Sequence, residues 1–120
     1  MDTRALRRLC LGFAGAGEER PFGPETTTFK VAGKIFAITA LEREPLKVSL
    51  KCDPELVPDL RAAHAAIAPG YHLDKRHWNT VTLDGSLDDG FVRDLVEDSY
   101  DLVVSRLPQR VQRELGWTTG

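Results

Sequence analysis

The sequence has little of what marks secreted, membrane-spanning or metal-stabilised proteins. Its 120 residues include two cysteines, Cys10 and Cys52, without a CxxC pair and without histidines at zinc-finger spacing. Each cysteine lies in phase with apolar neighbours, which indicates two buried, unpaired thiols. No apolar run approaches the ~20 residues needed to cross a bilayer. We therefore expect a cytoplasmic protein with reduced thiols and no membrane contact.

The sequence also lacks a phosphate-binding glycine loop and a nucleophile beside a partnered base. His72, Asp74 and His77 form an HxDxxH pattern whose side chains can ligate a metal, but no fourth ligand is fixed by the sequence. Together with Tyr71 and Asn79 they form a polar block, which would line a cleft for acid–base chemistry or simply satisfy internal hydrogen bonds. We expect no resident metal and no cofactor, and an enzyme built on this block remains an alternative.

Length and composition predict one ordinary globular domain over residues 1–120, with 42% hydrophobic and 28% charged residues. The net charge of −2 is unevenly distributed. Residues 84–101 carry seven acidic side chains and one basic one, which gives −6 and leaves +4 for the rest of the chain. This pattern predicts an acidic helix on a mildly basic body, with the two signs of charge on separate solvated faces.

Hydrophobic periodicity predicts the order helix, three strands, helix, one or two strands, helix. The glycine- and proline-rich segment at 14–25 is expected to be a loop. The predicted bounds are a helix over 3–13, a hairpin turning at 32–33, a strand over 46–52, a helix from 53 or 58 to 69, a strand over 77–83, a helix over 87–107 and a short helix from 108 to 116. Their apolar stripes meet if the helices cover one face of an antiparallel sheet, which is a two-layer α+β sandwich.

Alternation and helical spacing also predict which side chains face the core. In the hairpin, pairing of Val31 with Lys34 and of Phe29 with Phe36 places one set inward: Phe29, Val31, Phe36 and Ile38. The next strand should bury Leu46, Val48, Leu50 and Cys52. The second helix should bury Leu56, Leu60, Ala63 and Ile67.

The opposite sheet face presents the best physical case for binding. Its predicted outward side chains are Lys30, Lys47, Lys51 and Trp78, with Lys75 and Arg76 at the adjoining turn. Lysine and arginine neutralise phosphates, and an aromatic ring can stack on an unpaired base. The alternative is a solvated sheet face on which lysines discourage strand-to-strand aggregation.

Five stretches, taken in order and with their spacing, resemble the MmcQ/YjbR family over almost the whole chain. They are Pro21-Phe22-Gly23, FKVAGKIFA, SLKCDPE, PGYHLDKRHWNTVTLDGSL and SYDLVVSRLP. The resemblance implies a CyaY-like fold and a presumed DNA-binding role, and it brings no catalytic residues. Pro58 departs from the pattern and bears on where the second helix starts.

The leading functional hypothesis is a non-enzymatic module that binds nucleic acid, with DNA as the candidate partner, through the lysine- and tryptophan-bearing sheet face. The alternative is a protein-interaction or small-ligand module in which the acidic last helix and the basic first helix, with Arg4, Arg7 and Arg8, contact a partner. An enzyme using the Tyr71–Asn79 block is the third hypothesis.

Overall fold

A computed structural model describes residues 1–70 and 73–117. The helices are α1 (Thr3–Leu11), α2 (Val57–Ala63), α3 (Asp89–Ser105) and α4 (Gln109–Glu114). The strands are β1 (Ala16–Glu19), β2 (Thr27–Val31), β3 (Lys34–Thr39), β4 (Lys47–Lys51), β5 (Ile67–Pro69) and β6 (Trp78–Thr82).

The six strands form one antiparallel sheet in the order β1-β2-β3-β4-β6-β5. The long helix α3 crosses the middle of this sheet and contacts β2, β3 and β4, while α1 packs near β1 and α2 near β5. The core lies between the helices and one sheet face, and its largest fully buried side chains are Phe29, Phe36 and Leu6. The predicted two-layer α+β sandwich is confirmed.

The hairpin between β2 and β3 turns at Ala32 and Gly33, as predicted. Both residues have positive φ, +49° and +79°, which is the backbone geometry of a two-residue turn that matches the twist of its strands. Gly33 adopts this conformation at no steric cost, whereas Ala32 carries a small strain. Val31 pairs with Lys34, also as predicted.

Beyond the turn the predicted pairing fails because β3 contains an extra residue. Phe29 pairs with Ala37 instead of Phe36, and the register shifts between Phe29 and Lys30. Phe36 is the residue left without a partner across the hairpin, which is a β-bulge. Phe36 and Ala37 are consequently both buried, and Ile38 moves to the face opposite the helices, where it is only half-buried. The expectation of an inward Ile38 was wrong.

A hydroxyl group from α3 fills the gap that the bulge leaves between β3 and β4. The β3–β4 ladder ends at the pair Ala37–Leu50. Just beyond it, the fully buried Ser99 Oγ donates to the Phe36 carbonyl at 2.6 Å and accepts from the Lys51 N–H at 2.9 Å. One side chain thus satisfies two backbone groups that the ladder does not pair.

Strand β1 was missed, because its segment was predicted to be a loop. Its sequence, AGEE, contains no large apolar residue, so its strand character comes from pairing with β2 and not from burial. Glu18 lies across from Phe29 and forms an ion pair with Arg7 of α1 at 2.5 Å. These contacts tie the first helix to the edge of the sheet.

Helix α2 is shorter than predicted. It begins at Val57, next to Pro58, which agrees with the expected delay at the proline, and it ends at Ala63 with His64 as its C-cap. Ile67 therefore belongs to β5 and not to a helix. Ile67 is buried, but Leu56 is 51% exposed and Ala63 is also exposed, so these two were wrongly assigned to the core.

The C-terminal helices follow the prediction closely. Asp88 caps α3 through a hydrogen bond from the Gly90 N–H, and Pro108 precedes the short helix α4. Tyr100 packs against Phe13 and Phe36, and its hydroxyl donates to the Ala14 carbonyl at 2.6 Å. Within the described part of the chain, no helix has the length and hydropathy of a membrane span.

Candidate nucleic-acid interface

The face of the sheet turned away from the helices carries a compact group of basic and aromatic side chains. Lys51 on β4 lies directly across from Trp78 on β6, and Lys47 lies across from Thr82. Between them, the hydroxyls of Ser49 and Thr80 are hydrogen-bonded at 2.9 Å. Strand alternation directs all of these residues to the same side. We call Lys47, Lys51 and Trp78, with Lys75 and Arg76 at the neighbouring turn, the Lys–Trp face.

Lys30 was predicted to belong to this group, and it does lie on the same side of the sheet. It is separated from β4 by β3, however, because the strand order places β2 two positions away. Its ammonium group is 2.8 Å from the Glu19 carboxylate on β1. This ion pair reduces the charge that Lys30 offers to an outside anion, so we treat it as peripheral to the Lys–Trp face.

The turn that presents Lys75 and Arg76 is built by Asp74. The Asp74 carboxylate accepts from the Arg76 N–H at 3.0 Å, and its other oxygen lies 2.7 Å from Nδ1 of His77. The hydrogen bond from the His77 side chain, assisted by that from the Arg76 backbone, lowers the pKa of Asp74. Lys75 and Arg76 are both exposed as a result. Asp74 and His77 therefore have a structural role in this turn.

The polar block from Tyr71 to Asn79 is only partly described by the structure. Tyr71 and His72 lie outside the described residues, so the HxDxxH pattern and the possible cleft stay predictions at these positions. Asp74 and His77 contact each other, as above. Asn79 is buried on the helix side of β6, away from the exposed turn. Among residues 1–70 and 73–117, no three His, Cys, Asp or Glu side chains are grouped to hold a metal.

Arg61 organises this region, and sequence reasoning did not identify it. From α2, its Nε donates to the Asn79 Oδ1 at 2.8 Å, and its Nη2 donates to the carbonyls of Trp78, at 3.2 Å, and of Lys75. A planar guanidinium suits this multiple contact because its donors are fixed in a fork. Arg61 thus holds the backbone that carries Lys75 and Trp78 from the other side of the sheet.

Gly70 also sets the position of Trp78. A Cβ atom at residue 70 would lie 2.8 Å from the Trp78 Cβ and 3.0 Å from its carbonyl oxygen. The Gly70 N–H donates to that same carbonyl at 2.9 Å. Only glycine allows this close approach of the two chain segments.

The strands place mainly basic charge on the helix-free face of the sheet. On the helix-free face, the strands contribute Lys30, Lys47 and Lys51, with Glu19 as their only acidic residue. The acidic residues of α3 belong to the helical layer. The predicted separation is therefore incomplete, because the helical layer also carries arginines such as Arg4, Arg7 and Arg8 of α1, but the strands leave the Lys–Trp face positive although the whole chain has a net charge of −2.

The two thiols differ in their surroundings. Cys10 is fully buried under α1, and this burial raises its pKa to about 12. Cys52 is only half-buried, in contrast to its predicted core position, because β4 ends at Lys51 and the chain turns away. Burial, followed by the nearby Asp53 and Asp98 charges, raises the pKa of Cys52. Both cysteines are unpaired, as expected.

Comparison with known proteins establishes the family. The YjbR family profile matches residues 11–102. The chain belongs to the YjbR family. Two similar relatives in this family are the "Uncharacterized protein YbdF" of Escherichia coli O157:H7 and the "Uncharacterized protein YjbR" of Escherichia coli strain K12. Each is 38% identical, and each alignment covers 96% of this chain and 98% of the relative.

Two solved structures share the fold of this chain. The crystal structure of Deinococcus radiodurans protein DR2400, described as a DUF419 domain, superposes with a TM-score of 0.91 and 40% identity, covering 98% of this chain and 89% of that one. A crystal structure of a Pseudomonas syringae protein gives a TM-score of 0.74 at 27% identity, covering 85% of this chain and 98% of that one. The predicted family resemblance is thus confirmed.

Proposed function

We propose that this YjbR-family protein is a non-enzymatic module that binds nucleic acid weakly through the Lys–Trp face. The observation that supports it best is the register between β4 and β6, which sets Lys51 directly across from Trp78. A cation beside an aromatic ring is the combination with which proteins hold single strands, pairing a phosphate contact with base stacking. We also propose that the fold is CyaY-like, as the family resemblance implies.

The basic side chains of the Lys–Trp face determine how strongly it should bind nucleic acid. Within the described part of the chain, no carboxylate forms an ion pair with Lys47, Lys51, Lys75 or Arg76. Lys75 Nζ does donate to the Gly70 carbonyl at 3.3 Å, but this acceptor is neutral and does not compensate the charge of Lys75. These four cations can neutralise four phosphates, and we expect non-specific binding with a dissociation constant on the order of 10 µM or weaker.

The shape of the surface favours single-stranded over double-stranded ligands. The helices pack on the other side of the sheet, so no described helix is positioned beside the Lys–Trp face to enter a major groove. An open sheet face instead accommodates an unpaired strand whose bases lie on it. Trp78 is half-buried, so part of its side chain is open to a stacking base.

The test is a titration of fluorescent single- and double-stranded 20-nucleotide DNA at low salt. Lys47→Glu/Lys51→Glu should abolish measurable binding, because two contacts become repulsions. The matched control is Arg106→Glu/Arg113→Glu, which makes the same change in net charge at exposed positions in the helical layer. This control should weaken binding only slightly.

Three results would contradict the proposal. The first is no binding by the wild-type protein at about 1 mM, which is roughly 100 times a typical non-specific dissociation constant. The second is equal binding by the Lys47→Glu/Lys51→Glu variant, which would place the ligand elsewhere. The third is an equal loss in the control variant, which would show that net charge alone decides the affinity.

A further inference from the structure

A groove of about 580 Å³ lies on the helix side of the sheet, between α2 and α3. Its size falls within the range of small-molecule sites. The floor comes from the central and edge strands, and the walls come from the facing sides of the two helices. The apolar side chains that form floor and walls are Leu50, Ile67, Val81, Leu60, Leu95 and Leu102.

One wall of this groove carries a row of carboxylates. Asp94, Asp98 and Asp101 follow one another at i, i+4 and i+7 along α3, so they lie on one side of the helix and all line the groove. Asp101 accepts a hydrogen bond from the Trp117 indole N–H at 2.8 Å. Across residues 1–70 and 73–117, no cationic side chain forms an ion pair with Asp94 or Asp98.

The electrostatics of this wall favour a cation. Partial burial raises the pKa of Asp98, and the charges of Asp101 and Asp94 raise it further. A positive group placed beside Asp98 would relieve that repulsion. Lys51 is the only basic residue that lines the groove among those described, and strand alternation directs its side chain to the opposite face of the sheet.

The length and lining of the groove favour an elongated ligand with an apolar body. The lining residues of α3 run from Phe91 to Ser105, which is about 21 Å along a helix axis. An extended peptide would bring its own amides to an apolar floor that offers few partners. An aliphatic chain has no amides that need partners, so it suits this floor better.

We propose that the α2–α3 groove binds a linear aliphatic amine, with its methylene chain on the apolar floor and its ammonium groups at Asp94, Asp98 and Asp101. Asp94 and Asp101 are about 10 Å apart along the helix, which suits two ammonium groups joined by about eight carbons. The groove and the Lys–Trp face lie on opposite sides of the sheet, so each proposal can be tested independently of the other.

The direct test is a titration of ¹⁵N-labelled protein with 1,8-diaminooctane, followed by amide chemical shifts. Suberate serves as the ligand control, because it has the same number of carbons and the opposite charge. We expect shifts at groove residues such as Cys52, Leu60 and Leu102 with the diamine, and none there with suberate. Equal shifts with suberate, or no shifts in the groove at about 10 mM diamine, would overturn the proposal.

Variants then test the carboxylate wall. Asp94→Asn/Asp98→Asn keeps the shape of the groove while removing two charges, and it should weaken diamine binding at least about fivefold. The matched control, Glu97→Gln/Glu114→Gln, removes two exposed carboxylates that do not line the groove and should change affinity less than twofold. Equal affinities in the two variants would contradict the assignment. The amide spectra verify in the same experiment that each variant is folded.

Discussion

Replacing Ser99 with alanine should cost far more stability than the loss of one exposed hydroxyl. The Ser99 Oγ is the common partner of the Phe36 carbonyl and the Lys51 N–H, at 2.6 Å and 2.9 Å. Alanine leaves both backbone groups without that partner. An unsatisfied buried group costs about 1–3 kcal/mol, and the Lys51 N–H is only partly buried, so we expect a total of about 2–4 kcal/mol.

Urea unfolding monitored by circular dichroism measures this loss. For a domain of this size, a loss of about 2–4 kcal/mol should lower the midpoint by about 1–2 M without a large change in slope. Ser105→Ala is the control, because its hydroxyl donates to the Leu102 carbonyl at an exposed site on the same helix. It should cost less than about 0.5 kcal/mol. If Ser99→Ala were as mild as this control, the bulge would not depend on the hydroxyl.

Further predictions concern titratable and exposed groups. Folding raises the pKa of Asp98, so the charged carboxylate opposes folding at pH values above the usual carboxyl pKa. Asp98→Asn should therefore stabilise the protein slightly at pH 7, and this gain should vanish at a pH low enough to protonate the wild-type carboxyl. Thermal melts of both proteins at pH 7 and at the acidic pH would measure the difference. Cys10, with a pKa of about 12, should resist a thiol reagent at pH 8 until the protein unfolds, whereas the half-buried Cys52 should react first. Simultaneous labelling of both thiols in the native protein would contradict the burial of Cys10 under α1. Charge reversal at the exposed Arg4 and Arg8 should leave DNA affinity within about threefold, and complete loss would move the interface to α1.

Much of the fold could be predicted because its signals are local. Strand β4 alternates apolar and polar residues without exception, so its two faces could be assigned from the sequence. The Ala32-Gly33 turn and the end of α3 before Pro108 depend on backbone preferences that act within a few residues. These features required no knowledge of distant contacts.

The errors have a common physical origin in long-range contacts. At the bulge in β3 the Phe36 carbonyl meets Ser99, which is 63 residues away, and no two-residue periodicity can anticipate this contact. Strand β1 is recognised only once β2 is present to pair with it. The end of α2 is set partly by the turn that leads Ile67 into the sheet.

In the candidate site, too, local patterns could be predicted and long-range contacts could not. The outward positions of Lys47, Lys51 and Trp78 were predicted from alternation, and the structure places them as expected. The clamp by Arg61 was not predictable, because a single arginine on a helix gives no sign that it reaches three groups in β6 and in the turn before it. The ion pair that neutralises Lys30 depended on β1, which the sequence did not reveal.

The central claim is that the Lys–Trp face binds nucleic acid through phosphate contacts. The most direct test is the dependence of single-stranded DNA affinity on salt, measured by fluorescence anisotropy for the wild-type protein and for Lys47→Glu/Lys51→Glu. Four phosphate contacts predict a slope of about −3 for log affinity against log salt, and two remaining contacts predict about −1.5 at most, with much weaker binding throughout. Identical slopes for the two proteins, or a wild-type affinity that does not change with salt, would contradict the account.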